Sequence, residues 1–139
     1  GARSWRRPRV RRRCSRSGGR APALALLRRL GEQHASAEDL AKSPAFCRVL
    51  ELTAQLAEQG RFSPSELGDV LQSLGQLRGH HVKVSTALRN SADALAVVVS
   101  SATTEDIARG AWALAKSGEY SSQALEQILL ESEARVKEF

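Results

Sequence analysis

The residues best suited to chemistry are arginines near the start of the sequence. Residues 1–20 hold nine arginines, no lysine and no acidic residue. A guanidinium group can hold two phosphate oxygens in its planar fork or stack on a base, which a lysine ammonium does less well. Trp5 offers a further surface for an unpaired base. We expect this segment to bind nucleic acid through Arg3, Trp5, Arg6, Arg7, Arg9, Arg11, Arg12, Arg13, Arg16 and Arg20.

The same segment has a second interpretation. An arginine-rich, serine-containing stretch without acids is also typical of an organellar transit peptide. Residues 1–20 show no helical or strand period, and Pro8 and the pair Gly18-Gly19 interrupt regular structure. We therefore predict an extended basic arm over residues 1–20 and a separate domain over residues 21–139, with the arm serving in binding, in targeting or in both.

The charge distribution separates these two parts. Residues 1–31 carry eleven arginines and no acid, so within the total of +6 the remaining residues carry a net charge of −5. A basic block of this density usually meets phosphate, whereas a mildly acidic body does not repel protein neighbours. This division favours nucleic acid as the partner of the arm and proteins as partners of at least one face of the body.

Three residues of one predicted helix could extend a nucleic-acid site. Arg109 and Lys116 are seven positions apart and share a helix face, so they could touch phosphate or lie solvated on the surface. Trp112 lies between them and could stack a base. A tryptophan among Ala and Leu is more often a core residue, and we expect Trp112 in the core.

Other reactive side chains do not form a pattern. The spacing of His34, His80, His81 and Cys47 fits no tetrahedral zinc motif, so we expect no metal. Cys47 lies in an apolar run and Cys14 in the arginine segment, which indicates reduced thiols in a reducing compartment.

The adjacent acids at residues 38–39 and 105–106 could suggest paired catalytic carboxylates. Both pairs fall in predicted first turns of helices, where acids complement the helix dipole. The sequence also shows neither a phosphate-binding glycine loop nor a nucleophile elbow. We therefore expect no enzyme, no cofactor and no small-molecule substrate.

The body that must position these residues has helical periodicity throughout. Capping signals at residues 36–39, 63–66 and 103–106 predict helix starts, and Gly60, Gly79 and Gly118 predict helix ends. Apolar periodicity predicts further helices over about residues 22–33, 45–59, 82–100 and 122–137. The longest apolar run, residues 94–99, is too short to span a bilayer, and we expect no membrane contact.

An internal repeat indicates how these helices are arranged. A shift of 40 residues places residues 63–67 on residues 103–107 and Leu74 on Leu114, so that cap and core recur together. Paired helices with a period of this length are typical of an α-solenoid. We predict an all-α fold, a short α-solenoid of about three two-helix repeats; an irregular helical bundle is the alternative.

Two segments resemble a known family. Residues 61–77, and residues 106–116 with their Ala-Trp-Ala-Leu-Ala-Lys motif, are similar to first helices of octotricopeptide and heptatricopeptide repeats, organellar RNA-binding repeats often found in proteins with a RAP domain. The resemblance covers roughly residues 34–130. Gln72 stands in the first repeat where Trp112 stands in the second. The resemblance implies RNA binding in a mitochondrion or plastid, without catalysis by the repeats.

Together, the arm and the resemblance lead to one principal hypothesis and two alternatives. We expect a structural component of a mitochondrial ribosome, whose arm contacts ribosomal RNA and whose body packs on RNA and neighbouring ribosomal proteins. A location in the mitochondrial matrix is favoured over a plastid. The alternatives are a free-standing organellar RNA maturation or stability factor that binds a short single strand through its helices, and a protein-binding helical adaptor.

Overall fold

All regular elements in the described part of the chain are helices. The computed structural model describes residues 20–118 and 123–137. Its α-helices are α1 (Arg20–Glu32), α2 (Ala37–Leu40), α3 (Pro44–Glu58), α4 (Pro64–Gln76), α5 (Val82–Val97), α6 (Thr104–Lys116) and α7 (Gln123–Lys137). A short 3₁₀ helix, Val99–Ser101, follows α5. The predicted all-α class is confirmed for these residues.

The predicted capping signals start helices. The Ser63 hydroxyl accepts a hydrogen bond from the Glu66 amide while the Glu66 carboxylate accepts one from the Ser63 amide, which is a complete capping box. Thr103 and Asp106 form the same reciprocal pair at α6. At α2 only half of the box is present, because the Ser36 hydroxyl accepts from the Asp39 amide without a return bond among the described contacts.

Several helix boundaries differ from the prediction. The Ser43-Pro44 pair, predicted to end α2, also starts α3, with Ser43 as its cap and Pro44 in its first turn. Helix α5 ends at Val97 rather than near Ser100, and the chain continues as the 3₁₀ helix. The predicted stops at Gly60 and Gly118 are correct, because each glycine directly follows the last capping residue of its helix and has a positive φ angle, 69° and 82°. The stop predicted at Gly79 is wrong, because α4 already ends at Gln76, and Gly79 adopts its positive φ in the following turn.

The helices lie in two layers. In the first layer α1 packs on α4, and α4 packs on α6; in the second layer α3 packs on α5, and α5 packs on α7. Helix α4 also packs across onto α5, and α6 onto α7. The core between the layers is built chiefly of leucine and alanine, and its most deeply buried members include Leu27, Leu67, Leu71, Leu88, Leu95, Leu114 and Ile128. Among the described helices, none is long and apolar enough to cross a membrane.

Small residues let the helices of the first layer approach closely. A Cβ atom at Gly31 on α1 would lie 2.7 Å from the backbone oxygen of Ser73 on α4. A Cβ at Gly75 on α4 would lie 3.1 Å from the Cα of Ala113 on α6. Backbone atoms cannot rotate away as a side chain can, so both contacts require glycine to keep the present spacing of the layer.

The substitution Gly31→Ala tests this packing. Alanine favours a helix over glycine by at most about 1 kcal/mol, but the added methyl meets backbone and costs about 1–3 kcal/mol of strain. We expect a net loss of about 1 kcal/mol in the free energy of unfolding, since overpacking outweighs helix propensity here. Urea denaturation followed by circular dichroism measures it, and a variant that is as stable as the parent would contradict the close approach.

Candidate nucleic-acid interface

Most of the predicted arm contacts lie outside the described residues: Arg3, Trp5, Arg6, Arg7, Arg9, Arg11, Arg12, Arg13 and Arg16. Arg20 is described, and it does not lie in an extended arm. It is the first residue of α1, where its guanidinium donates to the Arg61 carbonyl at 3.0 Å and pairs with Glu66 at 3.4 Å. The helix therefore begins two residues before the predicted start at Pro22, and Arg20 links α1 to the start of α4.

Arg109 is held inside an ion-pair chain that crosses the first layer. Its guanidinium donates to Asp69 on α4 and to Asp106 on α6, the latter at 2.6 Å, and its side chain is only 18% exposed. Arg28 on α1 donates to the other oxygen of Asp69 at 2.9 Å. The order Arg28, Asp69, Arg109, Asp106 thus alternates in charge. Because the terminal nitrogens of Arg109 are paired within the chain, its geometry does not offer them to a phosphate.

Burial and ion pairing shift the pKa values of Asp106 and Arg109 in opposite directions. Burial alone would raise the pKa of Asp106, but the Arg109 guanidinium and the Thr103 hydrogen bonds outweigh it and hold that pKa below its ordinary value. Burial alone would lower the pKa of Arg109, whereas the hydrogen bonds and charges of Asp106 and Asp69 raise it. Both groups therefore remain ionised at neutral pH.

Trp112 is not a core residue, and the expectation that it would be buried was wrong. The residue is 43% exposed. Its indole lies along α4 at Gly75, where an added Cβ would come within 3.1 Å of the ring atom Cζ3. The Lys116 ammonium lies 5.1 Å from the centre of the ring, which is cation–π distance. The absence of a side chain at Gly75 lets the indole lie close against α4, and the rest of the ring remains at the surface.

A groove with a volume of about 320 Å³ opens beside this tryptophan. We call it the basic groove, and its lining residues are Leu74, Gly75, Leu77, Arg78, Gly79, His80, His81, Val84, Ser85, Leu88, Lys116 and Ser117. It lies where α4 and α6 end and α5 begins. Arg78 and Lys116 are its charged residues, and no Asp or Glu is among the residues that line it. The floor is apolar and buried, while the rim is polar and exposed.

The polar rim is fixed by backbone contacts. The Nε of Arg78 donates to the His34 carbonyl, and the Arg78 backbone bridges to Ala35 and Ala37 in the turn after α1, at 2.8 Å in each direction. His81 caps α5, because its Nδ1 accepts from the Lys83 amide at 3.2 Å. A neutral His81 therefore carries its proton on Nε2, and the positive end of the α5 dipole lies at the groove.

The sequence prediction missed this groove because it considered the histidines only as metal ligands. The sequence feature that indicates this groove is the segment of residues 78–83, which contains one Arg, two His and one Lys and no acid. Within residues 20–118 and 123–137, no three His, Cys, Asp or Glu side chains cluster as metal ligands would. Cys47 is a buried free thiol whose sulfur lies 3.5 Å from the Lys83 ammonium. Cys14 lies outside the described residues.

Two other surfaces differ in chemistry from the basic groove. Helix α7 exposes Leu129, Leu130 and Val136, and a mostly apolar cleft of about 160 Å³ separates it from α6. Between α3 and α5 lies a depression of about 270 Å³ whose charged residues are Glu58 and Asp93. The body thus has a basic, an apolar and an acidic region at separate places.

Comparisons with family models, with curated proteins and with solved structures found no match to this chain. The chemistry of the surface must therefore be argued from its own residues. Two cations and a helix start at one groove can neutralise a phosphate, and the aromatic face next to the groove can stack a base.

The substitutions Arg109→Ala and Arg28→Ala compare two arginines that pair with the same carboxylate. Arg109 is largely buried, and its loss leaves the buried Asp106 carboxylate without its cation, so we expect a loss of about 2–3 kcal/mol in unfolding free energy. Arg28 is 58% exposed at the side chain, and we expect a loss below about 1 kcal/mol. Urea denaturation of both variants measures the two losses of unfolding free energy. Equal losses would contradict the ion-pair chain.

Asp106 also predicts a pH dependence of stability. Its pKa in the folded protein is lowered, so its contribution is complete above the unfolded value, about 3.9 for Asp, and is lost as the pH falls through the lower folded value. We expect the unfolding free energy of Asp106→Asn to lie below that of the parent at pH 7 and to approach it below about pH 4. Urea denaturation between pH 2.5 and about pH 7 tests this. A constant difference across that range would contradict it.

Proposed function

We propose that the protein is an RNA-binding structural component of a mitochondrial ribosome. One observation carries the proposal: the excess positive charge is separated from the folded body. Basic and acidic residues balance in residues 20–118 and 123–137, so the net charge of +6 comes from the other residues, chiefly the arginines of the arm. A segment whose charges are all arginines, joined to a body whose described residues carry no net charge, suits a protein that reaches into RNA while its body rests on a surface.

The body is proposed to be a short α-solenoid of three two-helix repeats: α1 with α3, α4 with α5, and α6 with α7. The layer order supports this, because each first-layer helix packs on the next first-layer helix and each second-layer helix on the next. The spacing of contacts supports it as well. Asp69 and Arg109 are 40 residues apart and form an ion pair across α4 and α6, and Arg28 lies 41 residues before Asp69.

Neighbouring ribosomal proteins are the proposed partners of the other surfaces. The exposed side chains of Leu129, Leu130 and Val136 on α7 and the acidic depression with Glu58 and Asp93 are unsuited to RNA phosphate. An assembly partner covers such surfaces, whereas a free-standing RNA factor exposes them. These regions favour the ribosomal interpretation over the free-standing maturation factor, and they are what a purely protein-binding adaptor would also use.

A location in the mitochondrial matrix is part of the proposal. Its supports are the arginine-rich, acid-free segment, the similarity of residues 61–77 and 106–116 to organellar repeat helices, and a buried Cys47 that remains a free thiol. The contacts proposed for ribosomal RNA are the arm arginines together with Lys116 of the body. Arg20 and Arg109 are engaged in ion pairs with acidic residues of the body and are not among the proposed contacts.

The arm is tested by replacing Arg6, Arg7, Arg9, Arg11, Arg12 and Arg13 with alanine. Each lost contact to single-stranded RNA should reduce the slope of log affinity against log salt by about 0.7, so we expect a clearly weaker and flatter salt dependence. Fluorescence anisotropy of a labelled ribosomal RNA fragment at several salt concentrations measures this.

The matched control replaces the same six arginines with lysine, which preserves charge and should preserve the salt slope. Unchanged affinity and slope in the alanine variant would refute an RNA-binding arm and leave residues 1–20 as targeting sequence. If removal of the arm leaves binding selective for one RNA sequence, the free-standing maturation factor is the better account.

A further inference from the structure

The basic groove has more positive charge than its surroundings neutralise. No ion pair within residues 20–118 and 123–137 involves Arg78 or Lys116. Arg78 is held by a single side-chain bond from Nε, which leaves its two terminal nitrogens without partners among the described residues. The first turn of α5 adds the positive end of a helix of 16 residues. An anion with several acceptor oxygens would satisfy all three features at once.

Trp112 gives the groove a second kind of contact. Its ring does not itself line the cavity, but it lies against Gly75 and beneath the Lys116 ammonium, and both of these residues line it. In the structure the exposed ammonium of Lys116 lies over the ring. A base gains more from an indole face than an exposed ammonium does. A base can therefore take the place of Lys116 on the ring, and the lysine then reaches a phosphate oxygen beside it.

The volume of the basic groove limits the size of the ligand that it can hold. About 320 Å³ is at the small end of the range for ligand sites, so it holds about one nucleotide unit rather than a folded RNA element. Stacking on Trp112 also requires an unpaired base, because a base within a duplex is already stacked on its neighbours. Single-stranded RNA meets both conditions.

We propose that the basic groove is a single-nucleotide site of the RNA-binding surface, in which Arg78, Lys116 and the start of α5 hold a phosphate and Trp112 stacks the attached base. The inference rests on the proposed RNA-binding function and adds a position in the body to the contacts of the arm. His80 and the Nε2 of His81 lie on the rim as further hydrogen-bond partners for the sugar or phosphate.

The intrinsic fluorescence of Trp112 tests the site directly. The chain has two tryptophans, so Trp5→Phe leaves Trp112 as the sole reporter. The probe is a single-stranded oligoadenylate of eight nucleotides, with a duplex of the same length as comparison. We expect the single strand to quench Trp112 emission and the duplex to leave it unchanged. In the same background Lys116→Gln and Arg78→Gln should each weaken the binding seen by quenching about threefold to tenfold.

Arg61→Gln is the matched control, since Arg61 is an exposed arginine in the turn between α3 and α4 that does not line the groove, and the hydrogen bonds described for it use only its backbone amide and carbonyl. Anisotropy of the labelled oligonucleotide is recorded on the same samples. Binding by anisotropy without quenching of Trp112 would overturn the nucleotide site and leave the proposed function standing. Quenching that Lys116→Gln, Arg78→Gln and Arg61→Gln leave equally strong would also overturn it. Absence of binding in both measurements would overturn the site and the RNA-binding function together.

Discussion

The position of Asp69 between two arginines is the interaction on which the first layer depends. One oxygen of its carboxylate accepts from Arg28 on α1 and the other from Arg109 on α6, so a residue of α4 ties both neighbouring helices. Buried or partly buried charges demand this kind of pairing, because an unpaired one is costly. With the spacing of α4 and α6 set, Gly75 faces Trp112 and Ala113, and the basic groove opens at the ends of these helices.

The placement of charge, more than its amount, distinguishes the surfaces of the body. Basic and acidic residues balance in the described part of the chain, yet the acids at positions 66, 69 and 106 are used to hold Arg20, Arg28 and Arg109. Arg78 and Lys116 lie beyond the reach of these acids and meet at the groove. A body whose described residues carry no net charge can therefore offer a positive site, while its acidic and apolar regions lie elsewhere.

Local chemistry made much of the fold predictable from the sequence. Helix starts at Ser63 and Thr103 follow from a hydroxyl and an acid three residues apart, and the helix ends before Gly60 and Gly118 follow from glycines that adopt positive φ. The surface could not be predicted in the same way. The Trp112 ring lies against α4 because Gly75 on that helix leaves room for it, and Arg109 is internal because Asp69, 40 residues earlier, lies beside it. A periodic pattern does not contain such contacts between distant residues, and so Arg78 was missed and Arg109 was assigned to phosphate.

Sedimentation of a mitochondrial lysate tests the central claim most directly, because it asks whether the protein is part of a ribosomal particle. The lysate is separated on a sucrose gradient with magnesium and, in parallel, after chelation, and the protein is detected in each fraction. The account predicts that it migrates with ribosomal particles in magnesium and follows one subunit when chelation separates the two. Migration at the top of the gradient under both conditions would contradict it.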